Sequence, residues 1–214
     1  MNELLLICLS YCIGSIPTAV WISRSVHGID IRDYGSGNAG ATNTFRVLGS
    51  KLGSIVMLVD VVKGFIGTSL YVFLPFYLTD ELHRTNFMIA LGLAAVLGHI
   101  FPLWAGFRGG KGVATLLGMA IAIQPLVAAC CLGVFLLVLL LTRFVSLSSI
   151  LAGICFMVCI LFIFNEKEPL YRIFAVLVAL MVVLTHQKNI GRLLKGTESK
   201  LPLQKRKQQR RSLD

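Results

Sequence analysis

Unbroken runs of apolar residues constrain the fold of this chain more than any other feature. They show neither the two-residue alternation of a half-buried strand nor the periodicity of an amphipathic helix, and most are long enough to cross a hydrocarbon core of about 30 Å. The pattern predicts an all-α integral membrane protein. The runs cover residues 2–23, 54–78, 87–104, 113–142, 148–164 and 170–187.

The fourth run is too long for one membrane span. As a single helix its length would be about 45 Å at about 1.5 Å per residue. Gln124-Pro125 lies near its middle, and proline removes a backbone donor and disfavours helix at the residue before it. We therefore expect two helices, at 113–123 and 126–142, and seven transmembrane helices in the chain.

Basic residues are distributed unevenly between the two sides that seven helices define. One side collects sixteen of the twenty Lys and Arg residues, and the other has only Arg84, Lys167 and Arg172. The positive-inside rule places the rich side in the cytoplasm. The N-terminus is then outside and the C-terminus is cytoplasmic, whereas six spans would leave the basic C-terminal segment on the wrong side.

Composition favours one membrane domain and argues against a nucleic-acid partner. Only 14% of the residues are charged, against about a quarter in soluble domains, so we expect a single membrane-embedded domain at residues 1–198. The basic segment 199–214 lacks the interleaved aromatic residues and the folded reader of a nucleic-acid-binding protein. We expect it to be a disordered cytoplasmic tail near anionic lipid headgroups.

Four polar segments share the predicted cytoplasmic side. The first, GSGNAGATNTFR at residues 35–46, has its glycines in a G-x-G-x-x-G spacing, but a membrane span precedes it in place of a strand, so a dinucleotide site is not expected. Glycines still let backbone N–H groups converge on an anion. The candidate ligand contacts in this segment are Ser36, Gly37, Asn38, Thr42, Asn43 and Arg46.

The second segment, FRGGKGVAT at residues 107–115, resembles a Walker A loop but has Gly112 where that loop requires Ser or Thr. Nucleotide hydrolysis is therefore not expected. Its backbone, with Arg108 and Lys111, forms a second candidate anion cradle that includes Gly109 and Gly110. Two cradles suggest two phosphate-bearing groups or one diphosphate. The alternative for both segments is a pair of glycine-rich turns whose basic residues contact lipid headgroups.

Polar residues also occur at the ends of spans and inside them. In the third segment, HQKNIGRLLKGTE at residues 186–198, His186, Asn189 and Arg192 share a helical face and could bind a substrate hydroxyl or phosphate. Asp60 and Lys63 are spaced to pair within one span, either as a brace or as a substrate contact. His99 either packs beside the second segment or orients a group there.

The three longer segments, in this order in a chain of this length, resemble those of the bacterial acyl-phosphate:glycerol-3-phosphate acyltransferases, and the resemblance covers essentially the whole chain. It implies a multi-pass protein of the bacterial inner membrane with its site at the cytoplasmic face. Such an enzyme moves a fatty acyl group from acyl phosphate to the 1-hydroxyl of glycerol 3-phosphate. The product is lysophosphatidic acid, the first committed intermediate of phospholipid synthesis. No cofactor is implied, and we expect a monomer.

The resemblance also assigns roles to individual positions. It implies catalytic roles for Ser36, Arg46, Lys111, His186 and Asn189. The fourth polar segment, TRFVSLSS at residues 142–149, adds two serines to the substrate-binding positions. These positions are Gly37, Asn38, Thr42, Asn43, Arg108, Gly109, Gly110, Gly112, Ser146 and Ser149.

An acyl phosphate is already activated, so this chemistry requires no protein nucleophile. None is recognisable, and no histidine is followed five residues later by the aspartate that orients the base in other glycerolipid acyltransferases. Positioning and electrostatics would then dominate. The hydroxyl proton could pass to His186 or to a phosphate oxygen of the donor. We favour the phosphate, because His186 has no acidic partner in the sequence.

Two other functions fit the sequence less well. A transporter of a phosphorylated metabolite would place its site near the membrane midplane between repeats, whereas these polar residues cluster at one face and no repeat is visible. A metal-dependent phosphotransferase would need clustered aspartates for Mg²⁺, and the cytoplasmic loops offer Asp30 and Asp33 but no aspartate cluster. We expect no metal site.

Overall fold

The computed structural model describes residues 2–76 and 80–201, and this part of the chain is helical with no strand. Most of the predicted tail, from residue 202 onward, lies outside the described residues. The α-helices are α1 (Glu3–Gly14), α2 (Thr18–His27), α3 (Ala41–Leu48), α4 (Ser50–Thr68), α5 (Glu81–Ile100), α6 (Val113–Ile123), α7 (Pro125–Thr142), α8 (Val145–Val158), α9 (Pro169–Thr185) and α10 (Gln187–Leu194). Short 3₁₀ turns at Ile31–Asp33, Ser69–Phe73 and Leu103–Ala105 and a π turn at Cys159–Ile163 complete the described elements.

The described helices include several that can cross a membrane. Five segments are long and apolar enough, and α9 with α10, bent by 61°, makes a sixth if the pair counts as one span. The apolar helix α6 has 11 residues, which is about 16 Å at about 1.5 Å per residue. The five segments that are long and apolar enough to cross a membrane are Glu3–His27, Ser50–Phe73, Glu81–Ala105, Pro125–Thr142 and Val145–Ile163. The protein is thus an all-helical, multi-pass membrane protein.

Proline interrupts the helix within two of the apolar runs. The predicted break at Gln124-Pro125 is confirmed, because α6 ends at Ile123 and α7 begins at Pro125. The run at 2–23 was predicted to be one span, and all but its first residue lies within the membrane-length segment Glu3–His27. It is divided at Pro17 into α1 and α2, since proline cannot donate the backbone hydrogen bond that would continue the first helix. At this break the carbonyl of Ile16 accepts from the N–H of Thr18 at 3.0 Å.

Two polar segments expected to be loops contain helix. In the first segment, α3 carries Thr42, Asn43 and Arg46, because its apolar residues pack against a buried cluster formed with α2 and α4. In the fourth segment, α8 begins at Val145, so Ser146 and Ser149 lie in its first turns. The helices fix the direction in which these side chains point, which a loop would not.

Small residues allow the central helices to approach closely. A Cβ atom added to Gly64 of α4 would overlap the backbone carbonyl of Thr115 on α6. Likewise, one added to Gly118 of α6 would overlap the backbone carbonyl of Val61 on α4. Close backbone contact through small residues is common between membrane helices. The largest buried cluster lies among α5, α6, α7, α8 and α9. Leu140 and Leu141 of α7 are 78% and 77% exposed, as expected for a lipid-facing surface.

Candidate active site

A cavity of about 740 Å³ lies among α3, α4, α6, α7, α8, α9 and α10, and residues from all four polar segments line it. The fold therefore brings together side chains that are more than a hundred residues apart in sequence. The predicted residues that line the cavity are Ser36, Gly37, Asn38, Thr42, Asn43, Arg46, Lys111, Gly112, Ser146, Ser149, His186 and Asn189.

Three predicted residues of the second segment do not line this cavity. The side chain of Arg108 is exposed, and its carbonyl accepts a hydrogen bond from Arg32. The N–H groups of Gly109 and Gly110 donate to the carbonyls of Ile100 and His99, at 3.1 and 3.2 Å. The prediction that these two N–H groups cradle an anion was therefore wrong, because they satisfy the carboxyl end of α5.

Asn43 organises the first segment rather than projecting a free amide into the cavity. It is 1% exposed, and its Nδ2 atom donates to the carbonyls of Ile31 and Tyr34, at 3.1 and 2.9 Å. Its Oδ1 atom accepts from the N–H of Ser36 at 2.9 Å and from Arg46 Nη1 at 3.5 Å. Since both ends of the amide are engaged, Asn43 fixes the loop that presents Ser36 and holds Arg46 beside it.

Lys111 is partly buried at the polar end of the cavity, and its Nζ atom donates to Asn189 Oδ1 on α10. Burial lowers the pKa of Lys111 to about 8, helped by the charges of Arg192 and Arg46 and opposed by the carboxylate of Glu198. A lysine with this pKa is mostly protonated at pH 7, so it remains a cation beside two arginines.

Glu198 is the anion that balances these cations. Its side chain is 5% exposed, and its carboxylate accepts hydrogen bonds from Ser146 Oγ at 2.8 Å, Asn189 Nδ2 at 2.6 Å and Arg192 Nε at 2.6 Å. Burial by itself would raise the pKa of Glu198, but the hydrogen bonds from Asn189, Arg192 and Ser146 outweigh it and hold the pKa below its ordinary value. Glu198 is therefore ionised and links α8 to α10.

His186 lies at the bend between α9 and α10 and is 3% exposed. Its Nδ1 atom is 2.8 Å from the carbonyl oxygen of Val182. A carbonyl only accepts, so Nδ1 carries a proton and Nε2 of the neutral ring is the acceptor. The sequence offers no acid to orient His186, and a backbone carbonyl performs that task instead.

The serines of α8 divide by their hydrogen bonds. Ser146 donates to Glu198, whereas Ser149 donates to the carbonyl of Val145 in its own helix at 2.9 Å. Both side chains are buried and line the cavity. Ser146 is thus the one that belongs to the charged cluster.

The other half of the cavity is apolar. Its walls include Met119 of α6, Phe156 of α8, and Phe174 and Val178 of α9. The rings of Phe156 and Phe174 meet edge to face with their centroids 5.9 Å apart. A ligand that fills this cavity therefore has a polar, anionic head and an apolar chain.

Comparison with known proteins agrees with this geometry. The family model of the glycerol-3-phosphate acyltransferases matches residues 4–196. The chain belongs to the glycerol-3-phosphate acyltransferase family. A glycerol-3-phosphate acyltransferase of Fusobacterium nucleatum is 44% identical over 195 residues, which cover 91% of this chain and 95% of the relative.

Two crystal structures of PlsY (YgiH), an integral membrane glycerol 3-phosphate acyltransferase, also resemble this member of the family. The glycerol 3-phosphate form has a TM-score of 0.82 and 38% identity, covering 94% of this chain and 96% of that chain. The lysophosphatidic acid form has a TM-score of 0.76 and 37% identity, covering 92% and 94%.

Sequence reasoning missed one residue of this candidate site. Glu198 was treated only as the end of the third segment, although it is the single acidic residue in a basic stretch and that signal was visible. Asp60 and His99 also line the cavity. Among residues 2–76 and 80–201, no group of three His, Cys, Asp or Glu side chains is arranged to hold a metal ion.

Proposed function

We propose that the protein transfers a fatty acyl group from acyl phosphate to the 1-hydroxyl of glycerol 3-phosphate. The products are lysophosphatidic acid and inorganic phosphate. The observation that carries the proposal is a single cavity that joins a cationic polar end to an apolar half. Membership of the glycerol-3-phosphate acyltransferase family, and the two ligand forms in which PlsY was solved, support it.

The cations at the polar end bind the two phosphates. Arg46, Lys111 and Arg192 surround this end of the cavity, and all three carry positive charge at neutral pH. Glu198 keeps Arg192 and Asn189 in place through its hydrogen bonds. Ser36, beside Arg46, completes the polar wall. Because these groups are already arranged by contacts within the protein, they need little rearrangement when charge develops on the reacting oxygens.

The reaction is a direct acyl transfer. The 1-hydroxyl oxygen attacks the carbonyl carbon of the acyl phosphate, the bond from that carbon to the phosphate oxygen breaks, and phosphate leaves. His186 Nε2 accepts a hydrogen bond from the attacking hydroxyl and orients it, while Asn189 lies one turn further along. The proton of the hydroxyl ends on the departing phosphate. A protein nucleophile is unnecessary, because the acyl phosphate is an activated donor.

We propose the membrane arrangement that the charge distribution predicts. The five long spans, the short apolar helix α6 and the bent pair α9–α10 would give seven crossings, with the N-terminus outside and the polar end of the cavity at the cytoplasmic face of the bacterial inner membrane. Residues 1–198 would form one domain that acts as a monomer. The basic segment 199–214 would lie near anionic headgroups.

The proposal is tested by supplying alternative donors. The purified protein in detergent receives labelled glycerol 3-phosphate with palmitoyl phosphate, palmitoyl-CoA or palmitoyl-carrier protein in separate reactions that contain chelator. Lysophosphatidic acid from the acyl phosphate alone is the expected result. Product from the thioesters alone would overturn the donor. No product from any donor, with uptake of glycerol 3-phosphate into vesicles, would support a transporter instead.

A further inference from the structure

Three titratable side chains lie buried inside the helix bundle and have no part in the proposed reaction. Asp60 and Lys63 of α4 and His99 of α5 are 2%, 4% and 6% exposed. The Oδ1 atom of Asp60 lies 2.8 Å from Lys63 Nζ and 3.5 Å from His99 Nδ1, which has no hydrogen-bond partner within the described part of the chain. These three residues are called the buried network below.

The buried network joins four helices. Lys63 Nζ donates to the carbonyl of Ile16, at the break between α1 and α2, at 2.8 Å. At the start of α2, the hydroxyl of Thr18 donates to Asp60 Oδ1 at 3.3 Å. His99 lies in the last turn of α5. Lys63 thus ties the α1–α2 break to α4, and Asp60 contacts α2 and lies beside α5.

His99 connects the buried network to the loop that carries Lys111. Its backbone carbonyl accepts the N–H of Gly110 at 3.2 Å. Its ring packs against the same glycine, since a Cβ atom added to Gly110 would overlap His99 Nε2. Gly110 immediately precedes Lys111, so the position of the His99 ring limits where Lys111 can lie.

Stability alone does not account for these charges. A buried ion pair contributes little to stability, because the loss of hydration offsets the attraction, and replacement by apolar residues is often neutral. Ionisable groups inside membrane proteins are costly and are commonly functional. Asp60 and His99 line the cavity, but the carboxylate of Asp60 would repel a substrate phosphate. An indirect role, in which the buried network positions the loop that carries Lys111, fits these observations.

We propose that the buried network positions Lys111 for catalysis without touching either substrate. The Asp60 carboxylate packs beside the His99 ring, the ring supports Gly110, and Gly110 sets the place from which Lys111 reaches Asn189 at the polar end of the cavity. Lys63 neutralises Asp60 and anchors it to the α1–α2 break. The kinetic part of this inference rests on the proposed function.

The pKa of Lys111 gives a readout that a purely structural role would not change. Burial is the main cause that lowers it to about 8. The charged and titratable groups that face Lys111 are Arg46 of α3, His186 at the α9–α10 bend, Arg192 of α10 and Glu198. None of these belongs to the buried network. If the loop loses its support, Lys111 becomes more exposed and its pKa rises toward the ordinary 10.5.

The first test replaces the ion pair with apolar residues of similar size, in the double variant Asp60→Leu/Lys63→Met. This change leaves no unpaired buried charge, so Tm in detergent should stay within a few degrees of wild type. The value of kcat/KM should fall about 10- to 100-fold, since misplacement by about 1 Å can cost about 100-fold. The control is Glu81→Leu/Arg84→Met, a pair with the same spacing on α5, which should keep full activity.

A second test does not depend on catalysis. The rate at which an amine-modifying reagent labels Lys111 is measured against pH by peptide mass spectrometry, in wild type and in Asp60→Leu/Lys63→Met. A higher pKa for Lys111 in the folded variant is expected. A folded variant with wild-type kcat/KM and an unchanged labelling curve would overturn the proposal. Wild-type protein inactive with every donor would refute the proposed function, while the labelling result would still decide the positioning.

A double-mutant cycle covers the case in which the ion-pair variant does not fold. Gly110→Ala forces its new methyl group against the His99 ring, and His99→Ala removes the ring. If ring and loop are coupled, the combined variant loses less activity than the product of the two single losses. Losses that multiply would show that the ring does not position the loop, and the proposal would fail.

Discussion

Replacing Glu198 with glutamine tests the charged cluster of the site most directly. The change keeps the size of the side chain and removes its charge. In the wild-type protein the carboxylate accepts from three donors, on Ser146, Asn189 and Arg192. The amide of glutamine has only one oxygen, so turning it either way places an NH₂ group against Asn189 Nδ2 or Arg192 Nε.

The size of the effect follows from these contacts. A hydrogen bond to a charged group contributes about 1.5–3 kcal/mol, and in either orientation the variant loses at least one of these bonds and places an NH₂ group against a donor. Arg192 is 38% exposed, so water compensates for part of its loss. We therefore expect about 2–3 kcal/mol, or roughly a 30- to 140-fold fall in kcat/KM at about 1.4 kcal/mol per tenfold.

The pH profile gives the second signature. Lys111 must be protonated to bind phosphate, so wild-type activity should fall as pH rises through its pKa of about 8. The carboxylate of Glu198 raises that pKa, and its removal should lower it. The alkaline limb of the kcat/KM profile should accordingly move to lower pH in Glu198→Gln.

The assay measures lysophosphatidic acid formation from palmitoyl phosphate between pH 6 and 10, with Tm recorded for each variant. The matched control is Glu81→Gln, whose side chain is 88% exposed on α5 and which should match wild type. A Glu198→Gln variant with wild-type kcat/KM, or with an alkaline limb that stays in place or moves to higher pH, would refute the assignment of Glu198 as the counter-ion of this cluster.

Three further outcomes follow from the geometry. His186→Ala should raise KM for glycerol 3-phosphate and change kcat little; a fall in kcat of about 100-fold or more with loss of the acidic limb would identify a general base instead. Phe174 lies twelve residues before His186, about 18 Å along α9, so its ring lies far from the polar end of the cavity. Phe174→Ala should therefore shift the products, analysed by mass spectrometry, toward longer acyl chains. The control Phe162→Ala should not, because Phe162 is 72% exposed. An unchanged product profile in Phe174→Ala would contradict the assignment of the apolar half as the acyl site. Gly64→Leu should abolish the monodisperse peak in fluorescence-detected size-exclusion chromatography, because the leucine side chain would overlap α6. The control Gly133→Leu, with nothing within 4 Å of the added Cβ, should retain the peak. Equal peaks for the two variants would contradict the close α4–α6 contact.

Local signals predicted part of the fold and of the candidate site. Apolar run length predicted membrane helices, and Pro125 predicted the break between α6 and α7. Pro17 carries the same signal, but the apolar run continues through it, and the break between α1 and α2 was missed. The helix α3 was also missed, because glycines before it and polar residues within it are typical of a loop.

The position of each predicted site residue depended on contacts between distant segments. Gly109 and Gly110 have the composition of an anion-binding loop, yet the carboxyl end of α5 takes their N–H groups. Asn43 is of a residue type that often contacts ligands, yet its amide N–H groups donate to the carbonyls of Ile31 and Tyr34. The sequence does not show whether a hydrogen-bond donor is already satisfied by a partner elsewhere in the chain.

The sequence by itself determined that this chain is a helical membrane protein whose polar and basic segments collect on one side, because length of apolar runs, proline and charge act locally. Only the tertiary structure decided which polar groups form the site. The bend at His186 turns α10 back across the cavity, which brings Asn189 to Lys111 and allows Glu198 to reach Ser146. Burial then gives these contacts their strength, since a charge pair excluded from water interacts far more strongly than one on the surface.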